Sequence, residues 1–599
     1  MIIQKFSVNQ HPVQHILSWV QAGEIAIPEI QRPFVWSSSK VRNFIDSLYR
    51  GYPVGYIIVW QNPNVRLKDG STSKGKKILI DGQQRIAALM TALLGREILD
   101  EDYRKRKITI AFNPLEEIFE VTNPAIQKDR KWIADISEVF SPNFQLLKKL
   151  NEYCENNPGI PQETILNKLD SLKGILNIPI GLIELNHMLD LDEVTEIFIR
   201  INSSGVVLSQ ADFAMSKIAV DEKYNGQIMR KAIDYFCYMS VKPEFYQQIK
   251  ENDEEFAQTE YFKKMSWLKD DRNDIYDPSY TDMLRVAFTS QFNRGKLQDL
   301  VALLSGRDFE TRQYKEEIVK ESFERLNIGI ENFINETNFK RFVMIISSAG
   351  FIDSSMIRSQ NSLNFSYILY LKLKEKNFPQ HQIESLVRKW FVLSFLTGRY
   401  SGSSDSKFDM DIRRINDNPT EYIENVIAAE LSDNYWEFGL PQQMDTSLAN
   451  SPEFKVYLAS QVKMGDKGFL SRDIKVEDLI RLKGDVHHIF PKDYLKKIGF
   501  ANRSQYNQIA NYVMSQSEIN ISIGNKAPKL YFDELLKQCK TKKAKYGAIT
   551  DLDELMSNLM AHCIPVDIIE NDLLDDYELF LKERRKLMSL KIKKYFRKL

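Results

Sequence analysis

The sequence predicts a multidomain α+β protein with a mixed N-terminal domain, an α-helical middle region and a C-terminal domain that combines short strands with helices. Three observations lead to this prediction. Apolar strand-like runs alternate with helical periodicity up to about residue 225, helical spacing dominates up to about residue 440, and a strand-like segment with two adjacent histidines follows. At 599 residues the chain is too long for one hydrophobic core. We expect domains at 1–225, 226–440 and 441–599.

Composition places the chain among ordinary soluble proteins, with 43% hydrophobic and 27% charged residues. Lys+Arg and Asp+Glu both number 81, so a contact with nucleic acid must come from local basic patches. The four cysteines form no CxxC pair, which favours a reducing, cytoplasmic location over a disulfide framework. No apolar run approaches the length of a membrane span and no signal peptide is evident, so we expect no membrane contact.

The N-terminal domain is predicted from alternating helix and strand signals. Pro12 to Ala22 has helical spacing, Ser37 is a good N-cap for the next helix, and Val54 to Trp60 is a β-prone run. Ile178 to Leu185 is a further strand candidate. These signals predict a small α/β domain.

A second strand in this domain runs directly into a polar turn and a helix, in the segment ILIDGQQR. A strand, tight turn and helix start leave backbone N–H groups free to bind an anion, and Gly82 lets the backbone approach it. Arg85 could pair with phosphate, Asp81 with a cation, and Gln83 or Gln84 with a ribose, a base or a water molecule. The alternative is a capped turn without a ligand. No Walker A motif occurs, so this would not be a P-loop site.

The middle region contains one conspicuous loop, Thr397 to Asp405, which is small and polar with a single Arg-Tyr pair. It could contact phosphate or could be a linker. The surrounding aromatic residues are predicted to belong to the hydrophobic core.

The segment DVHHIFP alternates polar and apolar residues and stops at a proline, which predicts a short strand that ends in a turn. Alternation points Asp485 and His487 to one face and His488 to the other. One imidazole could then hold a divalent cation while the other removes a proton from water. Glu518, Asn520 and Asn525 follow where a helix could carry one oxygen ligand back towards the strand. The alternative is a buried structural histidine pair.

The last segment, from Lys582 to Leu599, holds nine Lys/Arg residues against one Glu and has helical spacing. A basic helix of this kind could contact the DNA backbone, because a cation that meets a phosphate releases a counterion. The alternative is a solvated terminal helix. The candidate DNA contacts are Arg584, Arg585, Lys593 and Lys594.

The C-terminal pattern DVHHIFP with Asn511 and Asn520 resembles the ββα-metal (HNH) nuclease motif. With Gly524-Asn525-Lys526 and Pro528, it is similar to the nuclease domain of the GmrSD type IV restriction endonucleases. The resemblance implies that His488 is the general base and that Asn511 braces the loop between the two halves. It implies a divalent metal, Mg²⁺ or Mn²⁺, with His487 and Asn520 as ligands and Asp485 as a candidate third ligand.

Three N-terminal segments, IPEIQRPFVW, ILIDGQQRIAAL and FIRINSSG, look like successive motifs of the GmrSD N-terminal domain, which is similar to the ParB/sulfiredoxin-like fold. The resemblance implies hydrolysis of an NTP, GTP or ATP, that regulates the nuclease. The alternative for Arg200 and Asn202 is a solvated helix end. The residues implied around the nucleotide are Gln31, Arg32, Asp81, Gly82, Gln83, Gln84, Arg85, Arg200 and Asn202.

These motifs together predict an NTP-regulated, metal-dependent DNA endonuclease that cleaves modified or foreign phage DNA in bacterial defence. Its expected partners are DNA and a nucleoside triphosphate, with a second copy of the chain or a defence-system protein also possible. One alternative is a nucleotide-gated DNA-binding sensor whose nuclease is inactive or depends on a complex. Another is an HNH nuclease that acts on RNA.

Overall fold

The computed structural model divides into two compact units, each described here by itself. The N-terminal unit comprises residues 1–263 and 301–320, and the C-terminal unit comprises residues 264–300 and 321–599. Among the residues that the structure describes, no helix is long and apolar enough to cross a membrane. The described residues are 5–26, 34, 36–60, 77–99, 105–186, 189, 197, 209–221, 223–273, 275–484, 486–565 and 574–599.

The strands of the N-terminal unit confirm the mixed α/β prediction. Five of them form one sheet in the order β1-β9-β3-β4-β2, in which β3 and β9 are parallel, β2 and β4 are parallel, and the other neighbours are antiparallel. Two separate hairpins pair β5 with β6 and β7 with β8. The bounds are β1 Phe6–Pro12, β2 Ile25–Ala26, β3 Tyr56–Trp60, β4 Lys77–Asp81, β5 Ile98–Leu99, β6 Lys105–Arg106, β7 Ile110–Asn113, β8 Ile118–Val121 and β9 Pro179–Leu185.

Helices cover one face of this sheet. Val13–Gln21, Ser38–Tyr49 and Gln83–Leu94 contribute apolar side chains to the same core cluster as β3 and β4. Ser37 caps its helix as predicted, since its side chain accepts a hydrogen bond from the backbone N–H of Lys40. The other helices and 3₁₀ turns of this unit are Pro124–Lys128, Ile136–Glu138, Leu146–Asn156, Gln162–Lys173, Gly174–Asn177, Gln210–Val220, Gly226–Val241, Phe245–Asn252 and Glu254–Ala257.

Helices dominate the chain from residue 226 to residue 464, as the periodicity predicts. Three helices straddle the boundaries of the units, namely Glu260–Lys264, Leu297–Leu304 and Glu316–Ile334. The remaining helices and turns of this region are Ser266–Asp270, Tyr280–Phe292, Glu336–Ser348, Ser354–Met356, Gln360–Glu375, Gln380–Leu396, Ser404–Asp417, Pro419–Glu430, Tyr435–Gly439, Leu440–Gln443 and Pro452–Met464.

The rest of the C-terminal unit combines one two-stranded ladder with short helices and a long terminal helix. The ladder pairs β10, Val486–His488, with β11, Tyr512–Met514. The helices are Val476–Arg481, Lys492–Lys497, Arg503–Tyr506, Ile509–Asn511, Ser517–Ile523, Pro528–Thr541, Leu552–Ala561 and Tyr577–Arg597.

The Arg-Tyr pair of the loop after residue 397 lies in the interior of the C-terminal unit. The guanidinium of Arg399 donates to both carboxylate oxygens of Asp411, at 2.6 and 2.8 Å, and also contacts Glu430. Tyr400 and Tyr422 donate their hydroxyls to the same carboxylate at 2.8 and 2.7 Å. Arg399 is 7% exposed and Asp411 is fully buried, so this pair is neither a phosphate contact nor part of a flexible linker.

Candidate functional site

The two adjacent histidines lie on the first strand of the ladder. β10 pairs antiparallel with β11, so that His487 lies opposite Val513 and His488 lies opposite Tyr512. The helix Ser517–Ile523 begins three residues after the end of β11. The local order is therefore strand, strand, helix.

His488 is half-buried and its ring is held by Asn507, a residue that the sequence analysis missed. The distance from His488 Nε2 to Asn507 Oδ1 is 3.0 Å. Because an amide oxygen only accepts hydrogen bonds, Nε2 carries the proton and Nδ1 keeps its lone pair. Burial lowers the pKa of His488, Lys492 and His487 lower it further, and the bond to Asn507 opposes this shift. The result is a neutral imidazole, which is the form that a general base requires.

Asn511 is fully buried and ties the segment after His488 to the start of β11. Its Oδ1 accepts from the backbone N–H of Phe490 at 2.8 Å, and its Nδ2 donates to the carbonyls of Phe490 and Tyr506 at 3.1 and 3.2 Å. The backbone of Asn511 also accepts from the N–H of Ile489 at 2.9 Å. These contacts can fix the strand ends relative to each other, while its catalytic importance remains a prediction.

The implied metal ligands lie on two elements of this strand, strand and helix segment. His487 is half-buried on β10, and Asn520 is half-buried on the helix Ser517–Ile523. Asp485 lies outside the described residues. In the described part of the chain, no group of three His, Cys, Asp or Glu side chains is placed to hold a metal ion. One imidazole and one amide oxygen are a donor set that suits a divalent cation whose remaining ligands are water or substrate oxygens.

Exposed cations lie beside the ladder. Lys492 and Lys496, from the helix that follows His488, place their ammonium groups over the ring of Tyr506 at 5.4 and 5.6 Å. Lys492 lowers the pKa of His488, and Arg503 opposes the burial that raises the pKa of Tyr512, so both cations act on the ladder. The sequence analysis did not single out these cations, although the lysines after Pro491 are a signal that could have indicated them.

The basic C-terminal helix packs one face into the interior, and this corrects the predicted DNA surface for Arg584, Arg585 and Lys593. Arg584 is fully buried and donates to the carbonyl of Ala510 at 2.7 Å and to the carbonyl of His562 at 3.1 Å. Arg585 donates to Asp445 at 2.7 Å, and Lys593 pairs with Asp433 at the same distance. Buried apolar residues recur along the helix at three- and four-residue spacing, which draws it into the interior. Of the four predicted contacts only Lys594 is exposed.

Arg584 nevertheless contacts the backbone next to Asn511, one of the candidate site residues. The carbonyl of Ala510 that it holds belongs to the residue directly before Asn511, and therefore to the entry into β11. A buried guanidinium bonded to backbone carbonyls fixes those carbonyls in place. Its role is thus to support the ladder from inside the unit.

The predicted strand, turn and helix junction of the N-terminal unit is present. β4 ends at Asp81, Gly82 has φ of 101°, and the helix Gln83–Leu94 starts without a side-chain cap. A Cβ on Gly82 would lie 3.0 Å from Cγ1 and 3.2 Å from Cα of Ile57, so glycine is required both by conformation and by space.

The polar side chains of this junction are only partly available to a ligand. Arg85 donates to the carbonyls of Val54 and Tyr56 at 2.9 and 3.2 Å and to Asp81 at 3.2 Å. Gln84 is buried, whereas Oε1 of Gln83 is buried without a hydrogen bond to any described residue. The other residues implied around the nucleotide, which lie outside the described part of the chain, are Gln31, Arg32, Arg200 and Asn202.

Comparison with known proteins gives two findings. The chain is 22% identical over 647 aligned residues to the uncharacterized protein MJ0686 of Methanocaldococcus jannaschii, with 97% of this chain and 98% of that protein covered. Residues 13–219, which contain the Gly82 junction, match the family model described as GmrSD restriction endonuclease, N-terminal domain. The N-terminal unit thus contains a region similar to the N-terminal domain of GmrSD restriction endonucleases.

Proposed function

We propose that this protein is a metal-dependent DNA endonuclease of the GmrSD type, with His488 as the base that activates water. The observation that carries the proposal is the state of His488. It is a neutral, half-buried imidazole whose Nε2 proton is held by Asn507, so that Nδ1 is the atom able to accept a proton. The match of residues 13–219 to a restriction endonuclease family supports the same reading.

The neighbouring residues suit hydrolysis of a phosphodiester. His487 and Asn520 would hold the divalent cation, Mg²⁺ or Mn²⁺, with Asp485 as a possible third ligand. When bound, that cation stabilises the charge on the leaving oxygen. Asn511 keeps the two strand ends aligned through its contacts with Phe490 and Tyr506. Lys492, Lys496 and Arg503 are exposed and supply positive charge for the DNA backbone.

The N-terminal unit is proposed to bind GTP or ATP and to regulate cleavage. The uncapped N-terminus of the helix Gln83–Leu94 and the glycine before it suit a phosphate group. The buried, unbonded Oε1 of Gln83 is a further group that a ligand could satisfy. With this regulation the protein would act in the cytoplasm on modified or foreign phage DNA as part of bacterial defence.

Cleavage assays with the full chain test the nuclease proposal. Unmodified plasmid and modified phage DNA are incubated with Mg²⁺ or Mn²⁺, each with and without GTP or ATP. We expect His488→Ala to lower the cleavage rate by about 10²- to 10⁴-fold, the usual contribution of a general base. His381→Ala is the matched control, because His381 is an exposed histidine of the same unit, and it should cleave like wild type.

The other outcomes separate the alternatives. Equal cleavage by wild type and His488→Ala would contradict the role of His488. DNA binding without cleavage under every condition would favour the sensor, and cleavage of RNA alone would favour the RNA-directed nuclease. Cleavage rates and melting temperatures that ignore every nucleotide would contradict the regulatory role of the N-terminal unit.

A further inference from the structure

A cavity of about 410 Å³ lies beside the ladder, within the C-terminal unit. Gly484, Val486 and Met514 form one of its sides. Val486 pairs with Met514, and His488 pairs with Tyr512 two residues further along the same strands. Because side chains alternate along a strand, Val486 and His488 belong to the same face. The cavity therefore adjoins the face of the ladder that presents the proposed base.

The lining of the cavity combines an apolar floor with polar groups. Met356, Phe454 and Leu458 contribute apolar side chains that are at most 5% exposed. Asp353, Ser355 and the two lysines Lys455 and Lys483 contribute the polar groups. A volume of several hundred Å³ with an apolar base and a few convergent polar groups is typical of a small-ligand site.

Lys455 carries the argument for an anionic ligand. It is half-buried on the helix Pro452–Met464, and its ammonium makes no hydrogen bond or ion pair with another described residue. Burial lowers the pKa of its ammonium. The charge of Asp353 opposes this shift without cancelling it. A partly desolvated ammonium without a direct partner is unfavourable, and an incoming phosphate would supply that partner.

The carboxylate of Asp353 is held in position by a hydrogen bond from the backbone of a neighbouring residue. Its carboxylate accepts from the N–H of Ser355 at 2.9 Å and so caps the turn Ser354–Met356. The carboxylate is therefore presented at the cavity by a short, capped turn. A fixed acceptor beside a hydroxyl suits the edge of a nucleobase, which offers both donors and acceptors.

We propose that this cavity receives one nucleotide of the DNA substrate, extruded from the base stack, with its phosphate on Lys455 and its base over the apolar floor. The proposal deepens the nuclease assignment and rests on it, since it makes DNA the ligand. Extrusion lets a protein examine the whole edge of a base, including a modifying group, which a paired base hides in part. Asp353 and Ser355 then face the base edge and can distinguish its substituents.

Fluorescence of a duplex that contains 2-aminopurine tests this proposal, because that adenine analogue brightens when it leaves the stack. The full-length protein is mixed with the duplex in EDTA, so that no cleavage occurs, and binding is followed in parallel by anisotropy. Ala449→Trp fills the cavity from a half-buried lining position, and Asn450→Trp is its control at an exposed position outside the lining. Lys455→Met removes the ammonium, and Lys463→Met does the same on the same helix outside the cavity.

Wild type and both controls should brighten the duplex, and Ala449→Trp should not. Lys455→Met should weaken binding about tenfold, as expected for the loss of one charge-assisted contact. A wild-type complex without brightening, or brightening by Ala449→Trp equal to wild type, overturns the proposal.

Cleavage with Mg²⁺ or Mn²⁺ is measured on the same preparations. Brightening without cleavage would contradict the nuclease assignment alone, and cleavage without brightening would contradict the cavity alone.

Discussion

Two histidines of the C-terminal unit show how differently the same side chain is used. His562 is fully buried, and both of its ring nitrogens are bonded, to Gln461 at 3.2 Å and to the carbonyl of Lys467 at 2.9 Å. His488 is half-buried: its Nε2 is bonded to Asn507, and its ring meets the ring of Tyr512 edge-on at 5.2 Å. The first ring is part of the interior together with Arg584, whereas the second is the proposed general base. Substitutions near His562 should therefore lower stability, and substitutions near His488 should lower activity.

The largest effect on stability at neutral pH is expected for Arg584→Met. The change removes the donors for the carbonyls of Ala510 and His562 and leaves those buried acceptors unsatisfied. We expect a loss of about 3 kcal/mol in the free energy of unfolding, measured by urea denaturation. Lys594→Met, at an exposed position of the same helix, should change it by less than about 0.5 kcal/mol. Equal losses in the two variants would show that the buried hydrogen bonds of Arg584 do not add to the free energy of unfolding.

The next effect is a loss of stability in acid that comes from His562. Burial lowers the pKa of His562 to about 3 from an ordinary value of 6.5. Below pH 6.5 the unfolded chain binds a proton that the folded ring refuses, so stability is complete above that pH and falls as the pH drops towards the folded pKa. The expected slope is about 1.4 kcal/mol per pH unit.

Denaturation at several pH values between 6.5 and 4 measures this slope. His562→Gln has no titrating group at this position and should lose that part of the acid dependence. An unchanged slope in His562→Gln would assign the acid sensitivity to other groups, among them the carboxylates that pair with lysines in the same unit.

The smallest effect is expected for Asn507→Ala. This substitution tests the His488 side of the comparison, where activity and not stability should change. Loss of the amide frees the ring of His488 to rotate and to exchange the proton between its nitrogens. We expect kcat for DNA cleavage to fall about tenfold with KM unchanged, since a positioning residue acts on the chemical step. Asn450→Ala, at an exposed position, is the control. An increase in KM with kcat unchanged would make Asn507 a substrate contact instead.

Much of the local fold could be predicted because its causes lie within a few residues. The Ser37 cap, the strand Tyr56–Trp60 and the turn at Gly82 follow from side-chain oxygens, β-branched runs and a glycine at a positive φ. The ladder strand at His487-His488 was also predicted, because alternation and the proline that ends it are local signals. The role of each histidine in catalysis remains a prediction.

The surface character of the C-terminal helix could not be read from its composition. Nine cations in 18 residues predicted a solvated or DNA-facing helix, yet Arg584 is buried and Lys593 is paired. A cation can lie in the interior when carbonyls from distant segments converge on it, and sequence spacing does not record that convergence. Asn507 was missed for the same reason, since its contact with His488 spans 19 positions and depends on the loop between the strands.

The sequence by itself therefore determined the strands, helix starts and turns, together with the residue types that suit a phosphodiester reaction, because these depend on neighbouring residues. Only the tertiary structure decided which polar groups are bonded in the interior and which remain available. It turned Arg584, Arg399 and His562 inward, and left Lys455 at a cavity and Lys492 exposed to solvent. The physical reason is that burial and hydrogen bonding of a polar group depend on partners that the chain brings together only when it folds.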